Sequence, residues 1–119
     1  MILLGRGAVV TGGGRGIGAA VAEALAGAGA AVIVAARSRG EIEAVAAALR
    51  RRALKAWAHP LDVTKPASVK SLAAFAQKRL GAVHILVNNA VVAPSAPIAK
   101  LTLAEWNRCL AVNATGTFL

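Results

Sequence analysis

The 119-residue chain contains no tyrosine, so no phenol within it can act as an acid or base. It has one cysteine, Cys109. That residue has no partner for an internal disulfide, and nothing argues for secretion. One cysteine and two scattered histidines, His59 and His84, are too few for a metal site. Aromatics are limited to Trp57, Phe75, Trp106 and Phe118, which is too sparse a set for a base-stacking surface. Acidic residues are scarce as well: 5 Asp and Glu stand against 14 Lys and Arg, for a net charge of +9. Such a balance favours anionic partners, whether nucleic acid, acidic lipid or a phosphorylated cofactor. The basic residues are mostly scattered. The one cluster, Arg50-Arg51-Arg52 with Lys55, falls where a helix should end, and cations there suit the helix dipole. Nucleic acid is therefore not the expected partner.

Charged residues make up 16% and hydrophobic ones 57%, the reverse of a disordered composition. The length suits one domain with a real core. The opening residues, MILLGRGAVV, lack a charged segment before the apolar ones and do not read as a signal peptide, so the cytoplasm is the expected location. Residues 16–36 carry one charge, Glu23, and are long enough to span a bilayer. They are mostly Ala and Gly, and Gly27 and Gly29 split them. A helix, a turn and a buried strand explain the run better, and no membrane partner is expected.

Short β-branched runs alternate with longer Ala-rich amphipathic stretches. Strands are expected at 8–11, 31–35, 55–59 and 84–88, recurring about every 25 residues. Helices are expected at 16–28, 39–53 and 67–80, with a last one from 103 onward. Apolar strands with helices between them make βαβ units and a parallel sheet covered on both faces. Ser38 with Glu41, and Thr102 with Glu105, fit capping boxes. Thr64 can cap the third helix, ahead of Pro66. The segment VVAPSAP, residues 91–97, is a loop after the fourth strand.

Residues 11–18 read TGGGRGIG, directly after the first strand and at the start of the first helix. Backbone N–H groups and a helix N-terminus there form a ready site for phosphate oxygens. A phosphate-loop NTPase does not fit, because Ala19-Ala20 replace the required Lys and Ser/Thr. The G-x-G-x-x-G pattern also fails, since its third glycine would fall on Ile17. What fits is T-G-x-x-x-G-x-G, with Thr11, Gly12, Gly16 and Gly18. A glycine-rich turn that merely packs helix on strand is the competing reading. The second strand ends VAARSR, with no acidic residue to bond a ribose 2′-hydroxyl. Arg37 stands there, and Arg15 lies in the glycine loop. Two guanidiniums suit a 2′-phosphate, hence NADP(H) over NAD(H), unless both are simply solvated.

Across essentially its whole length the chain resembles the N-terminal half of a short-chain dehydrogenase/reductase (SDR). TGGGRGIG matches the family's cofactor loop, which brings Gly14, Arg15 and Ile17 into the expected site with Thr11, Gly12, Gly16 and Gly18. LDVT, residues 61–64, resembles the segment in which Asp62 would bond the adenine amino group and Val63 would line the adenine pocket. NNA, residues 88–90, matches the motif ending strand four. There Asn88 would help fix the sheet, and Asn89 and Ala90 would lie at the cofactor, Ala90 near its ribose. VNATGTF, residues 112–118, matches the helix carrying the family's catalytic asparagine, here Asn113. The resemblance implies an α/β, Rossmann-like doubly wound parallel sheet in order 3-2-1-4, truncated after the fourth βα unit. Residues 1–119 would be the N-terminal portion of one NAD(P)-binding domain. Two positions depart from the family: Val91 replaces its usual glycine, and His84 its frequent aspartate.

The family's chemistry is hydride transfer between a nicotinamide and a carbonyl or alcohol carbon of a small-molecule substrate. Its general acid/base tyrosine, its lysine and its serine lie beyond the asparagine. Ser95 and Lys100 precede Asn113 and do not match those positions. The chain ends six residues after Asn113, so it reads as half an enzyme: cofactor binding without turnover. The complete protein is expected to be a homo-oligomer. Open strand-four residues Ile85, Leu86 and Val87 are expected to drive association, with Ile85 and Val87 dominating. A non-catalytic nucleotide-binding or interaction module is the alternative.

Overall fold

In a computed structural model, residues 2–89 are described. They form a parallel sheet in the order β3-β2-β1-β4. The strands are β1, Gly7–Thr11; β2, Ala31–Ala36; β3, Ala56–Pro60; and β4, Ile85–Val87. Between them run α1, Gly16–Gly27; α2, Arg39–Arg51; and α3, Pro66–Leu80. The sheet is the doubly wound α/β arrangement expected from the sequence. The expected last helix, its Thr102 and Glu105, and the loop 91–97 lie outside the described residues.

Strand periodicity divides the core into two layers. Ala8, Val10, Val32 and Val34 face α1 and α2, packing on Ala22, Ala26, Ile42, Ala46 and Leu49. Val9, Ile33 and Ala35 face the other way, toward Leu61 and the α3 residues Leu72 and Ala76. Every residue of β1 is buried, as a strand covered on both faces requires. Val9 lies between Ile33 of β2 and Leu86 of β4. The 16–36 run resolves into α1, a turn and β2. Gly29, at φ 106, makes the turn after the helix ends. No helix among the described residues is long and apolar enough to cross a membrane.

Ser38 caps α2 as expected, its Oγ accepting the Glu41 N–H at 3.4 Å. Arg50 and Arg51 occupy the last turn of the same helix. Next to it, Arg52 pairs with Glu23 of α1 at 2.9 Å. Thr64 does not cap α3. Lys65 holds the cap position without a side-chain bond, and Pro66 opens the helix. The Thr64 hydroxyl is taken by Asp62, donating to Oδ1 at 2.6 Å, while the Thr64 N–H reaches the same oxygen at 3.0 Å. The carboxylate closes a local Asx turn on Thr64, and the helix is entered one residue later, at Lys65. Strand β4 is shorter than the expected 84–88. His84 still joins the ladder from outside it: its N–H reaches the Gly7 carbonyl at 2.9 Å, and its Nδ1 accepts the Gly7 N–H at 3.0 Å. It is an edge position, as expected.

Candidate nucleotide-binding site

Parallel strands end on one edge of the sheet, so the segments after β1, β2, β3 and β4 converge there. The first is the glycine loop. Gly12 and Gly16 have φ of 64° and 59°, a region that L side chains rarely enter. The other loop glycines answer to neighbouring protein atoms. A Cβ on Gly13 would stand 3.0 Å from the Val34 Cβ, and one on Gly14 would stand 2.9 Å from the Glu41 Cβ. A Cβ on Gly18 would collide with the Gly12 carbonyl and approach the Asn89 amide nitrogen to 2.7 Å. Close packing of loop, helix and sheet therefore accounts for Gly13, Gly14 and Gly18. This is the competing reading of the motif, and at these three positions it holds without any ligand.

The opening left for a ligand is at the start of α1. Arg15 is the N-cap residue and makes no side-chain cap bond, and the first turn carries no acid. The first N–H groups of a helix have no partner within it, and they carry the positive end of its dipole. A Cβ on Gly16 would meet nothing within 4 Å. Ile17 beside it is 76% exposed, an apolar side chain held in solvent at the loop's mouth.

The loop is tied down from β4. The Asn89 N–H donates to Thr11 Oγ1 at 2.9 Å, and the Asn89 side chain donates to the Gly12 carbonyl at 3.4 Å. Among the described residues this tie runs through Asn89, the neighbour of Asn88, to which the resemblance assigned the sheet-fixing part. Ala90, Val91 and Asn113 lie outside the described residues.

After β3, Asp62 is held by both Thr64 bonds on Oδ1 and by its own N–H, which donates to Ser68 Oγ at 2.9 Å. Its Oδ2 makes no hydrogen bond among the described residues. The Thr64 hydroxyl and N–H hold the carboxyl below its ordinary value against the cost of desolvation, with lesser attractions from Lys65 and Arg37 adding to the effect. Val63 lies alongside, half-buried and packed against the Val9–Ile33 layer of the core.

The two arginines differ. Arg37, directly after β2, makes no ion pair among the described residues. Arg15, 87% exposed in its side chain, places Nε 3.7 Å from the Glu41 carboxylate. Sequence reading used Glu41 only as half of a capping box. The box forms in one direction: Ser38 accepts the Glu41 N–H, while the carboxylate turns to Arg15 instead of back to the cap. The helical position of Glu41 in the first turn of α2, next to a glycine loop, was the available signal. Among the described residues no three His, Cys, Asp or Glu cluster to hold a metal ion.

The sequence matches the short chain dehydrogenase family over residues 6–119. The chain belongs to the short-chain dehydrogenase/reductase family. Among its SDR relatives, a 3-alpha-(or 20-beta)-hydroxysteroid dehydrogenase of Mycobacterium tuberculosis is 41% identical over 117 residues, 98% of this chain and 44% of that one. D-threitol dehydrogenase of Mycolicibacterium smegmatis is 42% identical, over 97% of this chain and 44% of that one. A solved SDR of Serratia marcescens, a double mutant, superposes with a TM-score of 0.92 at 39% identity, covering 99% of this chain and 49% of its own. The citronellol catabolism dehydrogenase of Pseudomonas aeruginosa superposes at 0.91 with 32% identity, over 99% of this chain and 48% of its own. The chain thus spans under half the length of the curated relatives it matches.

Proposed function

We propose that the chain is the NADP(H)-binding part of an SDR oxidoreductase that interconverts a carbonyl and an alcohol. The observation carrying this is one sheet edge that joins an uncapped α1 N-terminus to a basic residue, Arg37, with no acid at the end of β2. Open α/β sheets bind nucleotides at such edges. The residues present fit the cofactor. Its diphosphate would rest on the first-turn N–H groups at Gly16, Ile17 and Gly18, which Thr11, Gly12, Gly14 and Asn89 hold in place. Arg37 and Arg15 would meet the 2′-phosphate. Asp62, through Oδ2, would accept from the adenine amino group, with Val63 at the ring and Ala90 near the ribose.

When bound, the nicotinamide supplies or accepts the hydride. The chain's own residues bind and orient it, and Asn113 would support a proton path. With no tyrosine in the sequence, purified chain should bind cofactor without turning over any carbonyl or alcohol. The substrate of the complete protein would be a small carbonyl or alcohol compound, handled by a cytoplasmic homo-oligomer.

The test is titration of NADPH and NADH against wild type and Arg37→Asp. NADPH should bind roughly tenfold or more tightly than NADH, because a charge-assisted phosphate contact contributes about 1.5–3 kcal/mol. Arg37→Asp should erase or reverse the difference. Equal wild-type affinities would overturn the assignment. The alternative is a non-catalytic nucleotide-binding or interaction module. NADPH consumption by purified chain, lost in Gly16→Val, would overturn both that module and the expected lack of turnover.

A further inference from the structure

The two guanidiniums proposed for the 2′-phosphate are not equivalent. Arg37 makes no ion pair among the described residues and feels Asp62 only from a distance, whereas Arg15 already faces an anion, Glu41. The Ser38 cap sets Glu41 in the first turn of α2. From there its side chain lies along the glycine loop. A Cβ on Gly14 would stand 2.9 Å from the Glu41 Cβ and 3.3 Å from Oε2, so glycine at that position lets the carboxylate approach. Oε2 then lies 3.7 Å from Arg15 Nε.

We infer that Glu41 is the resident counter-ion of Arg15 and competes with the cofactor's 2′-phosphate for that guanidinium, so that Glu41 tempers the preference for NADP(H) over NAD(H). The inference rests on the NADP(H) reading above. A phosphate monoester brings about two negative charges at neutral pH. Reaching Arg15, it must displace the carboxylate or lie beside it, and like charge opposes it either way. A ribose 2′-hydroxyl meets the opposite situation, because it can donate to a carboxylate. Glu41 therefore acts against one cofactor and not against the other. The cap uses the Glu41 backbone N–H rather than its carboxylate. Glu41→Gln thus keeps the cap and the side-chain length while removing the charge.

The experiment measures NADPH and NADH affinities by nicotinamide fluorescence on the full chain. The panel is wild type, Glu41→Gln, Glu41→Ala, Arg15→Ala, the Glu41→Gln/Arg15→Ala double variant and Arg37→Ala, with thermal melts on each. Glu41→Gln should tighten NADPH roughly three- to fivefold, the range open to an exposed ion pair, and leave NADH unchanged or weaker. Its effect should shrink in the Arg15→Ala background, because both changes act on one contact. Glu41→Ala, which removes charge and reach together, should shift the NADPH-to-NADH ratio the same way. An unchanged ratio in both Glu41 variants overturns the inference, as does strict additivity with Arg15→Ala. If Arg37→Ala weakens NADPH while the Glu41 variants change nothing, this inference alone fails. If wild type binds the two nucleotides equally, or binds neither, and Arg37→Ala changes nothing, the NADP(H) reading fails and takes the inference with it.

Discussion

The Asn89 N–H donates to the Thr11 hydroxyl at 2.9 Å, and that hydroxyl in turn donates to the Val87 carbonyl at 3.2 Å. One side chain thereby closes the end of β4 onto the end of β1, just below the glycine loop. Thr11 is only 6% exposed. Its removal leaves a part-buried donor, the Asn89 N–H, and a part-buried acceptor, the Val87 carbonyl, without this partner. Thr11→Val should therefore cost about 1–3 kcal/mol, and Thr11→Ser should retain most of the stability. Urea melts of the three proteins decide it; a larger loss for Ser than for Val would show that the methyl group, not the hydroxyl, is what matters.

Gly18 and Gly40 make a matched pair. A Cβ at Gly18 runs into the Gly12 carbonyl, which is backbone and cannot swing aside, whereas a Cβ at Gly40 meets nothing within 4 Å. Gly18→Ala should destabilise by about 1–3 kcal/mol through overpacking. Gly40→Ala, inside α2, should stabilise by about 0.5–1 kcal/mol through the unfolded chain's lower entropy. Melting temperatures should move in opposite directions, and a shared direction would refute the packing argument for Gly18.

Asp62 gives a pH signature. Its folded carboxyl lies below the ordinary value of 3.8, chiefly because Thr64 bonds the charged form. A lowered carboxyl contributes stability above the unfolded value and loses it as pH falls through the folded one. Thr64→Val removes the shortest of these bonds. It should cost about 1 kcal/mol or less at pH 7, since solvent still reaches and screens this half-buried group. The gap to wild type should narrow as pH drops below 3.8. A gap that is constant with pH would mean that the threonine acts through packing.

Association is expected to depend on Leu86. Ile85 and Val87 are partly buried against the α1–α2 side of the core, whereas Leu86 is 57% exposed. Sequence reading assigned the dominant part to Ile85 and Val87, and alternation along β4 reverses that assignment. Leu86 also borders an apolar groove of about 400 Å³ with Val9, Leu72, Ala76 and Val83. Leu86→Lys should lower light scattering at high protein concentration without changing the fold. Ile85→Lys should lower the melting temperature instead. If Leu86→Lys leaves scattering unchanged, the edge is not where copies meet.

Strand β4 and residue Thr64 show where local reading stops. The apolar run at 85–87 was visible, but its faces depend on which neighbours cover them. A threonine in the loop reads as a cap until the Asx turn on Asp62 sets it one residue ahead of the actual cap, Lys65. Asn88 and Asn89 are adjacent and identical, so only the pleat decides which one reaches back 78 residues to Thr11.

The sequence by itself determined the order of strands and helices, the Ser38 cap, the parallel sheet and the placement of the glycine loop at its C-terminal edge. These follow from periodicity, turn chemistry and crossover handedness, all of which act over short stretches of chain. Tertiary structure alone decided that Gly13, Gly14 and Gly18 are glycines for the sake of neighbouring protein atoms. It also decided that Asn89 locks the loop and that Glu41 claims Arg15. Each of these is a contact between elements far apart in sequence, set by how closely helix, loop and sheet approach, and no local pattern encodes that distance.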